Sequence, residues 1–516
     1  MSSINTANNK RIAKNTIFLY IRMLLTMVIN IYTARIVLQV LGEVDYGIYN
    51  VVAGIVVMLS FLNSTLTNGT QRFFNYAIGE NNIDELKKTL SNSILIQIVI
   101  ALCILIICET IGIYIVNNTI NIPENRLHIA NFIFQFSILA IIISLLQIPF
   151  TALVIAYEKM SVFAYIGIVE VILKLILVFI LSFTNGDKLF YYALLMTFSQ
   201  GIICFLYFIY CKIKYCHLQF TPSFDKEEFR NMLSFSGWNT IGSIASVLLN
   251  QGVSLILNVF FGPSINASRA LAIQVNNALN NFVNGYQTAA NPQIVKLYAS
   301  GNKTEMFNLI ITNSILSFCL MYIVCAPILF NIDFILSIWL KSVPQYTNIF
   351  CIIMIMQSLI SSYQRPLGMA IYSCGKMKLP NLTSSIIYLA VIPISIVILH
   401  IVKSPEIPLI ISCIAFPLTM ITDLIILKNY INFPIKKFIK NALLKIVTIF
   451  LITYIPLYIF NHYYFSKQTF GIFIVSTIIS ELYIIMTIFY IGLSSTMKQK
   501  IYNKVQHLSR KINKHD

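Results

Sequence analysis

Side chains that could bind a polar ligand recur along one stretch of the sequence, residues 267–292. They are amides at spacings of three and four, which places them on one face of a helix. The row consists of Asn276, Asn277, Asn280, Asn281, Asn284 and Gln287. Amides both donate and accept hydrogen bonds. The row therefore predicts either contacts that join membrane helices or a surface for water or a hydroxyl-rich ligand.

Arginines inside apolar stretches are the second candidate for ligand chemistry. Arg22 and Arg35 lie in the first such stretch, and Arg365 lies in the middle of the tenth. Arg269 stands at the start of the stretch that carries the amides. A charge at the centre of a membrane helix costs roughly 2.5–3.5 kcal/mol, so each must reach the interface, pair, or face a wet cavity. We expect these four arginines to bind anions in a cleft.

Charged groups elsewhere in apolar stretches are candidates for binding a coupling ion. Glu170 and Lys174 are four residues apart, the distance of a helical ion pair, so a structural pair and a functional role both stay open. Glu481 lies deep in the last apolar stretch. We interpret Glu170, Lys174 and Glu481 as candidate ion-coupling residues.

Composition shows what kind of element must hold these side chains. The chain is 57% hydrophobic and 11% charged, with a mean hydropathy of +0.78, whereas soluble proteins carry roughly 25% charged residues. About 20 apolar residues span a bilayer. On that measure the sequence predicts an all-α, polytopic membrane protein with about 14 transmembrane helices.

A repeat divides the predicted helices into two halves. Gly42 stands in a hairpin between the first two apolar stretches, and Gly262 stands in a weaker copy about 220 residues later. Gly79 and Gly301 match in the same way. Such a repeat predicts two six-helix bundles related by a pseudo-twofold axis along the membrane normal, plus two further helices. The predicted parts are a bundle at 1–211, a cytoplasmic loop at 212–234, a bundle at 235–428, helices 13 and 14 at 429–493 and a basic cytoplasmic tail at 494–516.

The chain has a net charge of +17, and its basic residues are distributed unevenly between the loops on the two sides of the membrane. With the N-terminus in the cytoplasm, most Lys and Arg residues fall in cytoplasmic loops, as the positive-inside rule requires. The predicted topology has several passes and both termini in the cytoplasm. We read the charge as a topology signal and an attraction to anionic lipid, with no nucleic acid as partner.

Motifs of catalysis and metal binding are missing from the sequence. It contains no G-x-x-x-x-G-K-[ST] loop, no H-x-x-x-H pair and no C-x-x-C pair. Such motifs mark phosphate loops and metal or redox sites. We therefore expect a protein that is not an enzyme, with no cofactor and no bound metal.

Four motifs carry a family resemblance. They are N-T-I-F-L-Y-I-R at 15–22, L-G-E-V-D-Y-G-I-Y at 41–49, Q-R-F-F-N-Y-A-I-G-E-N-N at 71–82 and N-P-Q-I-V-K-L-Y-A-S-G-N at 291–302. With them the chain resembles the multidrug/oligosaccharidyl-lipid/polysaccharide (MOP) flippase superfamily. Within it, the resemblance is to the bacterial polysaccharide or O-antigen flippases.

The resemblance implies a substrate and a mechanism. Such proteins alternate between inward-open and outward-open states without ATP and move undecaprenyl-pyrophosphate-linked oligosaccharide, the repeat unit of O-antigen, capsule or exopolysaccharide. Related peptidoglycan-precursor flippases bind pyrophosphate with cavity arginines, which Arg22 and Arg35 match by position and Arg365 matches more loosely. The implied location is the bacterial inner membrane. The implied partners are the lipid-linked oligosaccharide, membrane lipids, a coupling ion (H⁺ or Na⁺) and other polysaccharide assembly proteins.

Two other functions stay open. The first is a MATE-type drug or cation antiporter, a branch of the same superfamily that usually has twelve helices and cavity carboxylates. The second is a membrane-embedded polysaccharide-processing enzyme, which would need a large external loop or a cluster of acidic or histidine side chains. The excess of deep cations over deep anions favours the flippase.

Overall fold

Helices account for the regular structure of the described residues. A computed structural model of the chain describes residues 2–60, 66–67, 70–71, 73–74, 77–78, 82–157, 159–215, 226–464, 469–493 and 498–499. No strand occurs among them. The predicted all-α class is therefore confirmed.

The described part of the chain contains helices of very different lengths. In chain order they are α1 (Ser2–Val57), α2 (Ile83–Ile107), α3 (Ile113–Asn118), α4 (Leu127–Ala156), α5 (Met160–Ser182), α6 (Lys188–Lys214), α7 (Lys226–Phe261), α8 (Pro263–Ala299), α9 (Lys303–Phe330), α10 (Ile332–Trp339), α11 (Thr347–Ser373), α12 (Lys378–Ile401), α13 (Ile407–Ile431), α14 (Ile435–Phe438), α15 (Leu444–Tyr464) and α16 (Phe470–Thr487). Short π-helical turns at Cys108–Gly112, Ile439–Leu443 and Ile488–Gly492 continue or link neighbouring helices.

Apolarity and length identify the helices that could cross a membrane. Within the described residues, 11 helices are long and apolar enough to do so. One of them, Arg22–Val57, contains two helical arms that meet at Gly42. The long helices α8 and α11 are not among the 11, because polar side chains interrupt them. The predicted number of about 14 transmembrane helices stays a prediction.

The two repeated glycines break the helices in the same way. Gly42 has φ 79° and ψ 172° between the arms of α1, and Gly262 has φ 84° between α7 and α8. Side chains rarely adopt such positive φ angles, whereas glycine adopts them freely. Gly301 shares the positive φ, and its counterpart Gly79 lies outside the described residues.

The chain divides into two compact units. The first comprises Met1–Val275, Leu340–Phe350 and Ser384–Ser412, and the second comprises Asn276–Trp339, Cys351–Thr383 and Cys413–Asp516. The bundle limits and the symmetry axis derived from the sequence stay predictions.

An arginine joins three helix ends of the first unit. Nη2 of Arg126 donates to Oδ2 of Asp45 at 2.7 Å, and Nη1 donates to Oδ2 of Asp187. Asp45 follows the turn at Gly42, and Asp187 caps the start of α6. Behind these ends, α1, α2, α4 and α6 share an apolar core around the fully buried Phe134. The charged cluster therefore fixes the ends of helices whose sides are held by burial.

We expect Gly42→Ala to destabilise the fold. The φ and ψ angles of Gly42 lie in a region that is essentially restricted to glycine, where strain costs about 1–3 kcal/mol. No atom within 4 Å would meet the new Cβ, so the effect is one of backbone strain alone. The measurement is the thermal unfolding midpoint of the purified chain in detergent.

Gly201→Ala is the matched control. Gly201 lies inside α6, and its added Cβ would also meet nothing within 4 Å. Alanine is favoured over glycine in a helix by roughly 0.5–1 kcal/mol, so this midpoint should stay or rise. Equal losses in both variants would contradict the strain argument.

Candidate functional site

The guanidinium of Arg365 binds three amides of α8 in the second unit. Nη2 donates to Oδ1 of Asn280 at 2.7 Å, and Nη1 donates to Oε1 of Gln287 at 3.3 Å and to Oδ1 of Asn284. The three amides occupy successive turns of one face, as their spacing predicted. The structure thus brings together a deep arginine and the amide row, two features that the sequence analysis singled out separately.

A proline explains why Gln287 belongs to this contact. Pro366 lacks the N–H that would bind the carbonyl of Ser362, four residues earlier in α11. Nε2 of Gln287 donates to that carbonyl oxygen at 2.9 Å and to Oγ of Ser317 in α9 at 3.2 Å. Gln287 is only 6% exposed. One amide therefore satisfies the carbonyl that Pro366 leaves free and, through Oε1, also accepts from Arg365.

A serine of α11 continues the contact toward the start of the amide row. Nδ2 of Asn280 donates to Oγ of Ser358 at 2.9 Å, and Ser358 donates in turn to Oδ1 of Asn276. Asn277 is exposed and Asn281 is half-buried. Asn276, Asn280 and Gln287 therefore join helices, as one interpretation of the row predicted. The other interpretation, a surface for a hydroxyl-rich ligand, stays a prediction.

The charge of Arg365 is solvated by dipoles and is not neutralised. Its partners are neutral amides, and it forms no ion pair with an acidic side chain within the described residues. A guanidinium has five N–H donors. The three hydrogen bonds use both N–H groups of Nη1 and one of Nη2, so the Nε–H and the second Nη2–H have no partner within the described residues. Arg365 is half-buried. This arrangement can hold an anion, because charge and directed donors remain for it.

Arg22 lies in the first unit, where α1 contacts α5. Its guanidinium carbon is 4.2 Å from the centre of the Phe163 ring. A Cβ added at Gly167 would stand 2.2 Å from Nε of Arg22, so the glycine leaves the space that the side chain fills. Arg22 and Arg35 are both half-buried.

Arg269 acts as a clamp between α7 and α8 in the first unit. It is 3% exposed, and its Nη atoms donate to Oγ of Ser254 and, at 2.7 Å, to the carbonyl oxygen of Asn250. These contacts tie the two helices that flank Gly262. Its place among the predicted anion-binding arginines stays a prediction.

The candidate coupling residues have two different environments. Nζ of Lys174 lies 2.6 Å from Oε1 of Glu170, so this pair is the ion pair that the spacing allowed. Lys174 also lines a cavity of about 320 Å³ in the first unit, together with Tyr49, Ser137, Ser144 and Gln200. Oε1 of Glu481 is buried without a hydrogen-bond partner in the described part of the chain. No group of three metal-ligating side chains occurs among the described residues.

Sequence analysis missed the residues of α11 and α5 that complete these contacts. Ser358 and Ser362 stand seven and three residues before Arg365, on the helical face that it shares. Pro366 also marks a free carbonyl at Ser362, so this signal was present in the sequence. Phe163 and Gly167 gave no comparable signal, because an apolar helix contains many such residues.

The architecture is similar to that of several membrane transporters of known structure. The structure is similar to that of the lipid II flippase MurJ in an inward closed conformation, with a TM-score of 0.69 at 16% identity over 93% of this chain and 99% of that one. It is also similar to the eukaryotic MATE transporter AtDTX14, with a TM-score of 0.59 at 14% identity over 81% and 95%. A multidrug resistance MATE family transporter of the MOP superfamily, inward-facing, gives 0.54 at 13% identity over 92% and 96%. The fold is thus that of the MOP superfamily.

The sequence itself matches a family model over residues 12–298, more than half of the chain. That model describes polysaccharide biosynthesis proteins, and the chain belongs to this family. No curated protein matches the sequence. The superfamily inferred from the motifs is confirmed, and the chain is a multi-pass membrane protein. The family and these neighbours are consistent with the expectation that it is not an enzyme.

We expect Gln287→Leu to destabilise the second unit. Leucine leaves the carbonyl of Ser362 without a donor, and an unsatisfied buried polar group costs about 1–3 kcal/mol. Asn277→Leu is the control on the same helix, because Asn277 is exposed and should tolerate the change within about 0.5 kcal/mol. Thermal unfolding of both variants in detergent measures the difference. A midpoint unchanged by Gln287→Leu would contradict the role of this amide.

Proposed function

We propose that this chain is a flippase for undecaprenyl-pyrophosphate-linked oligosaccharide, the repeat unit of a bacterial surface polysaccharide. It would act by alternating access across the inner membrane, with both termini in the cytoplasm. Membership in the polysaccharide biosynthesis family supports the substrate class. The excess of Lys and Arg in the loops assigned to the cytoplasm supports the orientation.

The single observation that carries the proposal is that the guanidinium of Arg365 is hydrogen-bonded to neutral amides. Its charge is held by neutral amides and lacks an acidic partner within the described residues. Pyrophosphate offers oxygens in the geometry that a guanidinium fork binds. The exposed amides Asn277 and Asn284 lie on the same face, and amides suit sugar hydroxyls because they donate and accept. In this proposal the pyrophosphate binds at Arg365 and the sugars follow the amide row.

The remaining candidates have lesser roles in the proposal. Arg22, Arg35 and Arg269 of the first unit are further candidates for contact with the phosphates. The polyprenyl tail stays in lipid, and a coupling ion, H⁺ or Na⁺, resets the transporter. Glu170 and Lys174 already neutralise one another, which makes Glu481 the stronger candidate for that ion.

Complementation of a host that lacks its own O-antigen or capsule flippase tests the proposal. We expect the intact chain to restore surface polysaccharide, and Arg365→Ala to abolish it because the anion loses its charge partner. Arg365→Lys should retain a fraction, because a lysine keeps the charge but cannot bond three amides as a fork. Lys341→Ala, which removes an exposed charge from a loop, is the control and should complement fully.

Two outcomes would oppose the flippase. Equal complementation by Arg365→Ala and the intact chain would exclude Arg365 as the headgroup contact. No polysaccharide from the intact chain, together with resistance to cationic dyes, would favour the MATE-type antiporter. Membrane levels of each variant, measured by immunoblot, separate loss of function from loss of protein.

A further inference from the structure

A polar seam joins three helices of the second unit, away from Arg365. We define it by Tyr322 of α9, Thr453 and Asn461 of α15, and Thr477, Ser480 and Glu481 of α16. Oη of Tyr322 lies 2.8 Å from Oγ1 of Thr453, and Nδ2 of Asn461 donates to Oγ of Ser480 at 3.4 Å. Asn461 is 8% exposed, and Ser480 is 1% exposed. The seam is thus buried among helices that are otherwise apolar.

Three oxygens of the seam lack a hydrogen-bond partner. They are Oε1 of Glu481, Oδ1 of Asn461 and Oγ1 of Thr477, all inaccessible to solvent and without a partner in the described part of the chain. Thr477 and Glu481 are four residues apart, so they share a face of α16. Asn461 reaches the same helix through Ser480. Buried polar atoms are nearly always paired. The oxygens of Glu481 and Asn461 each need a donor, and the one hydroxyl of Thr477 can supply only one of them.

The position of Glu481 makes an ionised carboxylate unfavourable. Glu481 is the central residue of the candidate span Phe470–Gly492. Its neighbours Ile478, Leu482 and Ile485 are exposed and apolar, so lipid would border it on that side. An unpaired charge at this depth is expensive.

Another mid-span carboxylate shows the contrast. Glu170 lies near the middle of Met160–Ser182 and binds Nζ of Lys174 at 2.6 Å. Glu481 has no such cation within the described residues. The two acids sit at similar depth in their helices, and one is neutralised by a lysine while the other requires a different positive species.

A proton fits the seam better than a metal ion. Hard metal cations take about six oxygen ligands, whereas the seam offers three oxygens without partners. Pro456 would free one more oxygen, the carbonyl of Ile452 four residues earlier. The hydroxyl of Tyr483 already donates to that carbonyl at 3.1 Å. A proton needs only one acceptor, and on Glu481 it also supplies the missing donor.

Hydrogen bonds on the α9 side run in one direction. Oγ1 of Thr453 donates to the carbonyl oxygen of Ile449 at 2.7 Å, so the hydroxyl of Tyr322 donates to Thr453 and keeps its own lone pairs. Tyr322 is close enough to interact electrostatically with Glu481. A protonated Glu481 therefore adds a donor on the side where Tyr322 can still accept.

Few other ionisable groups face Glu481. Tyr454 of α15 interacts with Tyr322, and Asp333 of α10 is next to Phe334, whose ring is 5.2 Å from that of Phe473, two turns before Glu481. The basic and acidic side chains of the packed helices stand at their ends: Lys303 and Glu305 begin α9, and Lys445 begins α15. Among the described residues of this seam, a change in protonation would thus belong to Glu481.

We propose that the seam of α9, α15 and α16 is a proton-binding site in which Glu481 carries a proton at neutral pH. The site also has a path to Arg365 through α9. Ser317 of α9 accepts from Gln287, and Tyr322, five residues later, belongs to the seam. In a coupling role, which rests on the proposed function, gain and loss of this proton would act on a helix that the Arg365 network also holds.

Infrared spectroscopy of the full chain in lipid nanodiscs tests the site directly. At neutral pH we expect a carbonyl absorption of a protonated carboxylic acid that disappears in Glu481→Gln. Glu170→Gln is the matched control and should leave the band unchanged, because the carboxylate of Glu170 already has the ammonium of Lys174 as its partner at 2.6 Å. A band that persists in Glu481→Gln, or that is lost only in Glu170→Gln, would overturn the proposal.

Thermal unfolding against pH provides a second readout. If Glu481 holds its proton more tightly in the folded chain than in the unfolded chain, the bound proton stabilises the fold at low pH. This stabilisation is lost as the pH rises through the range in which Glu481 of the folded chain releases the proton. The midpoint of the intact chain should therefore fall with rising pH, and the midpoint of Glu481→Gln should fall less. Repetition in sodium chloride and in choline chloride at one pH identifies the cation. A midpoint that depends on sodium and on Glu481 would overturn the assignment to a proton.

The proton site and the proposed flippase function can be refuted independently of one another. A band that depends on Glu481, in a chain that does not complement, would leave the proton site in place and refute the proposed substrate. Full complementation without that band would refute the site alone. If both hold, Glu481→Gln should remove the pH dependence of transport while Arg365→Ala removes transport itself.

Discussion

The absence of water around membrane helices is the constraint on which the rest of the structure depends. Each polar group must find its partner within the protein. The contact between α8 and α11 meets this demand residue by residue: amides accept from a guanidinium, a serine bridges two asparagines, and a glutamine binds the carbonyl that a proline leaves free. Removing one member would leave others unpaired, because they share partners.

The same contact explains how a deep arginine can remain chemically available. An acidic partner would stabilise Arg365 but would also cancel its charge. Neutral amides compensate part of the cost of burial and leave the charge in place. The paired acid and base on α5 show the other solution, in which both charges are cancelled. The protein thus uses different partners for two charges that cancel one another within a single helix and for a charge that stays available to a ligand.

Sequence reasoning captured the pattern of the site and missed its geometry. Spacing of three and four was enough to place Asn280, Asn284 and Gln287 on one face, and the cost of a buried charge was enough to single out Arg365. Which helix would meet that face could not be read, because α11 is far from α8 in sequence and pairing depends on the packing of whole helices. The repeated glycines at 42 and 262 were recognised from sequence, since their φ angles demand that residue. The number of membrane-spanning helices could not be predicted in the same way, because the polar side chains that form the site on α8 and α11 also lower the mean hydropathy of these two helices.

The amide row of α8 also has a consequence for how the chain is made. A helix with six amides on one face is a poor substrate for insertion into lipid by its own apolarity, and α8 is not among the helices apolar enough to cross unaided. Its hydrogen-bonding partners Ser358, Ser362 and Arg365 belong to a helix that is synthesised later, after α9 and α10. Until α11 is synthesised, the amides that bind these three residues therefore lack those partners. Biogenesis of this protein should be paced by the arrival of a single late helix.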